Sequence, residues 1–210
     1  MRKIFLMLAF VMMLMSSASA ATIEAAHFNG NEKLTYPVVS TGDAAIDQKI
    51  NAKIQEELMS FIKGIHYDAQ YYDRKVLDAR TSYEVGSNQA GNTIILSIVM
   101  TESKYIEGAA HPATWQRVLN FNTSSGNRMG LDYLTEVGEG LRAGYLLERL
   151  EQKLREKIQR EGIYLFEDAL PLKQLPENFY WDENLHVHFI FQHYEIAPYA
   201  AGIIDVDIDA

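Results

Sequence analysis

The chain of 210 residues has no cysteine, only five prolines, and no long hydrophobic run beyond its first twenty positions. Without cysteine there is no disulfide, no thiolate zinc site and no thiol nucleophile. The shortage of proline, with a hydrophobic fraction of 48%, excludes collagen-like and disordered classes. Basic residues are scarce as well, 19 Lys and Arg against 28 Asp and Glu, so the formal charge is −9. A phosphate backbone is repelled by such a surface, which makes nucleic acid a poor partner and leaves cationic partners or plain solubility as the use of the charge. Gly-rich phosphate loops, the G-x-S-x-G elbow and the H-E-x-x-H helix are all missing. What remains is the composition of one compact soluble domain.

The methionines are unevenly placed, with Met1, Met7, Met12, Met13 and Met15 all near the start. Arg2 and Lys3 precede an apolar run over residues 4–15, and Ala18-Ser19-Ala20 is a small-x-small pattern. This is the build of a secretory signal cleaved after Ala20, and the run is short of the roughly 20 residues that span a bilayer. The exported chain, residues 21–210, then keeps 17 basic and 28 acidic residues, a formal charge of −11. The expected location is the periplasm or the extracellular space. No later segment is long and apolar enough to span a membrane.

Residues 34–39 read as a strand, and Thr41-Gly42-Asp43 supplies capping chemistry for a helix. Ile46, Ile50, Ile54 and Leu58 recur every four residues, a core stripe on a helix expected to reach about Ile62 and to end at Gly64. Residues 67–76, rich in Tyr and charge, have no clean period, and a sub-domain boundary is possible near residues 64–78. Strand patterns follow at 81–86, 93–105 and 115–121, with turn residues at 87–92. In the middle strand Ile94, Leu96, Ile98 and Met100 share a face, as a sheet buried on one side requires. A second helix, expected from about Glu139 to Arg160, carries the stripe Ala143, Leu147, Leu150, Leu154 and Ile158, and Gly162 closes it. Residues 179–181, 185–191 and 203–208 read as the last strands. The fold class is α+β: a mainly antiparallel sheet with two principal helices packed on one face.

Two places have the residue types for chemistry. In residues 185–191 the alternation sets Leu185, Val187, Phe189 and Phe191 on one face and His186, His188 and Ile190 on the other. In the last strand Ile204, Val206 and Ile208 oppose Asp205, Asp207 and Asp209. Antiparallel pairing of these strands would bring imidazoles beside carboxylates. His186, His188, Asp205 and Asp207 then have the ligand types for zinc, although such a pattern more commonly makes a solvated face with weak His–Asp pairs. His111 lies in Gly108-Ala109-Ala110-His111-Pro112 between two strands, with no nucleophile or acidic orienter beside it in sequence. Metal and cofactor are therefore not expected, and neither is catalysis. The alternative is a cell-wall hydrolase or metal-dependent enzyme using His111 or the His186/His188 face.

Tyr105-x-x-Gly108-Ala109-Ala110-His111, Asn120-Phe121-Asn122-x-x-x-Gly126, Leu131-Asp132-Tyr133-Leu134, Phe179-Tyr180 and the run Tyr194-Glu195-Ile196-Ala197-Pro198-Tyr199-Ala200-Ala201-Gly202 occur in this order. Together they resemble the RsiV/PdaC-type extracytoplasmic domain family over about residues 30–208. The resemblance implies an envelope-side binding or recognition domain without carried-over catalytic residues. It also implies a cationic partner such as lysozyme, or peptidoglycan, with His111, Tyr194 and Tyr199 as candidate contact residues. Residues 194–202 are expected to join the last two strands as a packed loop, with Tyr199 buried, its hydroxyl bonded, Pro198 in a turn and Gly202 closely packed.

Overall fold

The computed structural model of the chain describes residues 20–88, 94–136 and 142–210. The expected signal over residues 1–19, most of the turn at 87–92 and the expected start of the second helix at 139–141 lie outside the described residues.

An antiparallel hairpin opens the fold, β1 (Thr22–His27) with β2 (Thr35–Ser40). The second of these is the anticipated strand. The first was not anticipated: in Thr-Ile-Glu-Ala-Ala-His the alternation lasts only four residues, and the strand is anchored by Asn88. The Asn88 side chain accepts from the Ala21 N–H at 3.0 Å and donates to the Ala21 carbonyl at 2.8 Å.

Helix α1 (Ala44–Tyr71) starts where the capping chemistry indicates: the Asp43 carboxylate accepts the N–H groups of Ala45 and Ile46. It does not end at Gly64. Phe61 and Ile65 continue the buried stripe of Ile50, Ile54 and Leu58, and burying each such side chain is worth about 1.5–3 kcal/mol against about 1 kcal/mol for a helical glycine. The first half of the stretch without clear period is thus the end of α1, which stops before Asp73 in the left-handed region at φ 48°, and the rest leads into the next strand.

Strands β3 (Val76–Asn88), β4 (Ile95–Ile106) and β5 (Ala113–Asn122) form one antiparallel sheet in that order. Leu96, Ile98 and Met100 pack with the α1 stripe in one core. The other face of β4 is covered too: Ser97 and Val99 are buried, so this sheet has two buried sides rather than the single one expected.

A short helix α2 (Leu131–Glu136) precedes α3 (Arg142–Glu161), and β6 (Phe179–Trp181), β7 (Val187–Phe191) and β8 (Ile204–Asp207) make the third antiparallel sheet. The buried line of α3 is Leu146, Leu150 and Leu154, of which the last two belong to the expected stripe; Leu147 and Ile158 pack half-buried against the same core, and Ala143 is exposed. Gly162, at φ 66°, closes the helix as anticipated. The α+β class holds. Its strands are divided among three sheets, with α1 on the β3-β4-β5 sheet and α3 on the β6-β7-β8 sheet.

The two larger sheets meet through buried polar groups. Asn120 donates to the Phe179 carbonyl at 2.7 Å and accepts from the Ser97 hydroxyl at 2.8 Å, and that hydroxyl accepts the Trp181 N–H at 3.1 Å. Val99, Val118 and Ile190 fill the rest of the junction. At the crossing of β3 and β6 a Cβ on Gly86 would lie 2.3 Å from the Trp181 carbonyl oxygen, so only glycine lets the backbones approach. Among the described residues no helix is long and apolar enough to cross a membrane.

Candidate functional site

The β4–β5 and β7–β8 loops, more than eighty residues apart in sequence, come together in a cluster of four rings. Tyr199 is sandwiched between two imidazoles, with His111 at 3.6 Å and His193 at 4.3 Å between centroids, both inclined by 21°. Tyr194 leans over the stack, 6.2 Å from His111 and 5.8 Å from Tyr199. One carbonyl organises the stack: Pro112 O accepts from His111 Nδ1 at 2.9 Å and from the Tyr199 hydroxyl at 3.0 Å. With Nδ1 donating, the neutral ring accepts the Tyr194 hydroxyl at Nε2, 3.2 Å away. Burial above all, with a smaller contribution from the neighbouring His111, holds the His193 imidazole below its ordinary pKa, against a hydrogen bond that it donates to the Tyr199 backbone.

All three expected contact residues are therefore in one place. Tyr199 differs from expectation in burial: its hydroxyl is bonded as anticipated, but the residue is half-buried because its covering groups are the two imidazoles and not the core. Pro198 does begin a turn, accepting the Ala201 N–H. Gly202 is not closely packed, since nothing lies within 4 Å of a Cβ there; what requires glycine is φ 76° with ψ −168°, a region essentially closed to other residues. Tyr194 is the exposed member, 57% accessible, and it too is left-handed at φ 64°. A non-glycine residue held there costs about 1–2 kcal/mol and persists because the loop enforces it.

The His–Asp face forms as the alternation indicates. Strand β8 pairs with β7 so that His188 lies opposite Asp207 and Ile190 opposite Asp205. His188 Nδ1 donates to Asp205 at 2.9 Å and its ring stacks on Tyr180 at 4.6 Å, while the Tyr180 hydroxyl donates to the other oxygen of Asp205 at 2.7 Å. His186 Nδ1 bonds Asp207 at 3.2 Å. Asp182, absent from the sequence reading, accepts the N–H groups of Asn184 and His186 and lies 3.8 Å from His188 Nε2. This face is not simply solvated: the His188 side chain is only 16% exposed. Desolvation works against its charged form, but the hydrogen bond to Asp205 and the charges of Asp205, Asp207 and Asp182 outweigh it and raise the pKa. The Tyr180 hydroxyl is pushed upward by burial and by Asp205. Among the described residues no group of three or more His, Asp or Glu side chains is drawn together so as to hold a metal ion. Beside this face a cleft of about 310 Å³ opens between the sheets, lined by Glu84, Asp182, Glu183 and Asp205 with Tyr180 and Ile190.

Glu102 was also missed. It is buried between α1 and the sheet, and burial together with Glu57 raises its pKa to about 7 against the Trp115 hydrogen bond, Arg117 and Lys104. A signal existed: its even number places it on the Leu96, Ile98 and Met100 face, a carboxyl among core positions.

Two family profiles match the chain, Deacetylase PdaC over residues 28–114 and a protein family of unknown function, DUF3298, over residues 133–210. The first spans most of the α1 core, the second the α3 core. A DUF3298-family crystal structure from Bacteroides fragilis is similar at TM-score 0.55 and 17% identity, covering 90% of this chain and 88% of that one. Another, from Pseudomonas aeruginosa PAO1, is similar at TM-score 0.57 and 11% identity, covering 91% and 90%. These likenesses concern the fold. No curated protein matches.

Proposed function

We propose, from the premise that this chain is a PdaC/DUF3298-type extracytoplasmic domain, that it is a recognition domain of the cell envelope that binds without catalysis. Its contact surface is the ring cluster of His111, His193, Tyr194 and Tyr199. Residues 1–20 serve export and are cleaved after Ala20.

The observation that carries this reading is Tyr194: an aromatic ring more than half exposed, oriented by a hydrogen bond to His111, on a backbone held in a costly conformation. Local strain of this kind is concentrated at binding sites, and exposed tyrosines make effective contact anchors. A hydrolytic role for His111 has less support, because both its ring nitrogens are engaged by Pro112 and Tyr194. The partner class that fits is a cationic envelope protein such as lysozyme. The acidic chain favours encounter with it, and a Lys or Arg side chain placed over the Tyr194 face gains about 0.5–2 kcal/mol of cation–π attraction.

Calorimetric titration of the purified protein with lysozyme tests this at low and moderate salt. Binding is expected to weaken as salt rises and to fall at least tenfold in Tyr194→Ala. Absence of heat at both salts removes the lysozyme partner, and co-sedimentation with peptidoglycan in its place transfers the same surface to a glycan ligand.

A further inference from the structure

Glu102 sits on the face of β4 that carries Leu96, Ile98 and Met100, two residues beyond the last apolar position and beneath the second half of α1. Its side chain is 2% exposed. One oxygen, Oε2, accepts the indole N–H of Trp115, the cross-strand neighbour on β5. The other, Oε1, is buried with no hydrogen-bond partner. The charged groups around it come from three elements. Glu57 of α1 adds like charge, Arg117 of β5 lies 3.9 Å from Oε2 but 3.5 Å from Glu57, and Lys104 of β4 is committed to Asp68 of α1. The cross-strand neighbour on β3 is the uncharged Thr81. The same region fixes α1 through the Phe61 ring, edge-on to Trp115 at 5.7 Å.

A neutral carboxyl is tolerated in such a place, whereas a carboxylate with an orphaned oxygen beside a second carboxylate is not. We propose that Glu102 is a proton-operated latch: uncharged, it lets the second half of α1 lie on β4 and β5, and ionised, it loosens that half of the helix. The structural reason is that Arg117, the cation 3.9 Å from Glu102, lies closer to Glu57 and is half-exposed, so it does not neutralise both. The last turns of α1 and the residue that caps them bear the exposed Tyr67, Tyr71 and Tyr72, so the latch governs how firmly that aromatic surface is presented as external pH passes through neutrality.

The test is backbone amide exchange at pH 6 and pH 8.5, with α1 residues 57–71 compared to α3 in the same molecule so that intrinsic rates cancel. Relative protection of this half of α1 is expected to fall at least threefold at the higher pH, and Glu102→Gln is expected to abolish that dependence. An unchanged ratio in the wild type, or a Gln variant that keeps the dependence, overturns the proposal. The carboxyl carbon of Glu102 gives a second reading, by NMR titration. A midpoint near neutrality, moving down in Glu57→Gln, supports the latch, and one near 4.5 overturns it.

Discussion

Replacing His188 by alanine is expected to destabilise the fold by about 2–4 kcal/mol at pH 5.5 and by distinctly less at pH 9. Two contributions make up the figure. The imidazole stacks on Tyr180 at 4.6 Å, a contact worth about 0.5–1.5 kcal/mol. Its removal also leaves Asp205 without a charged donor, and Asp182 and Asp207 without the cation they face at 3.8 and 3.9 Å; a part-buried group so deprived costs about 1–3 kcal/mol. The second contribution depends on pH. The folded chain binds the His188 proton more tightly than the unfolded one, because its carboxylates outweigh desolvation. Stabilisation from the charge is therefore complete below the unfolded pKa of about 6.5 and is lost as pH rises through the folded value. Urea denaturation of both proteins at the two pH values reads the difference, provided the slopes agree. In a thermal scan it corresponds to about 5–15 °C at pH 5.5 for a domain of this size. An equal gap at both pH values refutes the charged clasp, and a gap below about 1 kcal/mol at pH 5.5 returns this face to the solvated character that alternation alone suggests.

Tyr194→Gly is expected to stabilise the chain by up to about 1 kcal/mol, since glycine adopts the left-handed backbone without strain, while it weakens lysozyme binding as much as Tyr194→Ala; thermal denaturation beside calorimetry checks both, and a loss of stability contradicts the strain argument. Gly86→Ala drives a Cβ against the Trp181 carbonyl and is expected to cost about 1–3 kcal/mol, measurable by urea denaturation, with a neutral result meaning that the two sheets are not in tight contact there. Tyr199→Phe removes one hydrogen bond to Pro112 and keeps the stack, so a loss of about 0.5–1.5 kcal/mol is expected; a loss as large as that of a core truncation, about 3–5 kcal/mol, shows the ring to be core after all.

The elements whose signals are local were legible from composition and spacing. Asp43 caps α1 because a side-chain oxygen three residues away reaches a free N–H, and the Ile50, Ile54, Leu58 stripe follows from 3.6 residues per turn. The polarity of β7 and β8 foretold which residues share the His and Asp faces, since alternation has a fixed period of two, whereas the antiparallel pairing and register that join those faces were set by the tertiary structure. Helix termination was not legible at Gly64, because the decision lay with Phe61 and Ile65 finding a surface to bury against, which glycine propensity does not report. Nor was the division into three sheets, which depends on Gly86 and Asn120 meeting strands about sixty to ninety-five residues away. His111, Tyr194 and Tyr199 of the ring cluster were recognisable one by one and His193 was not, and the stacking beside the Pro112 carbonyl arises only when the β4–β5 and β7–β8 loops converge. Spacing and capping act within one or two turns of chain and are written in the sequence, whereas burial and pKa are set by neighbours distant in it, so the closed environment of Glu102 and the charged clasp of His188 exist only in the tertiary structure.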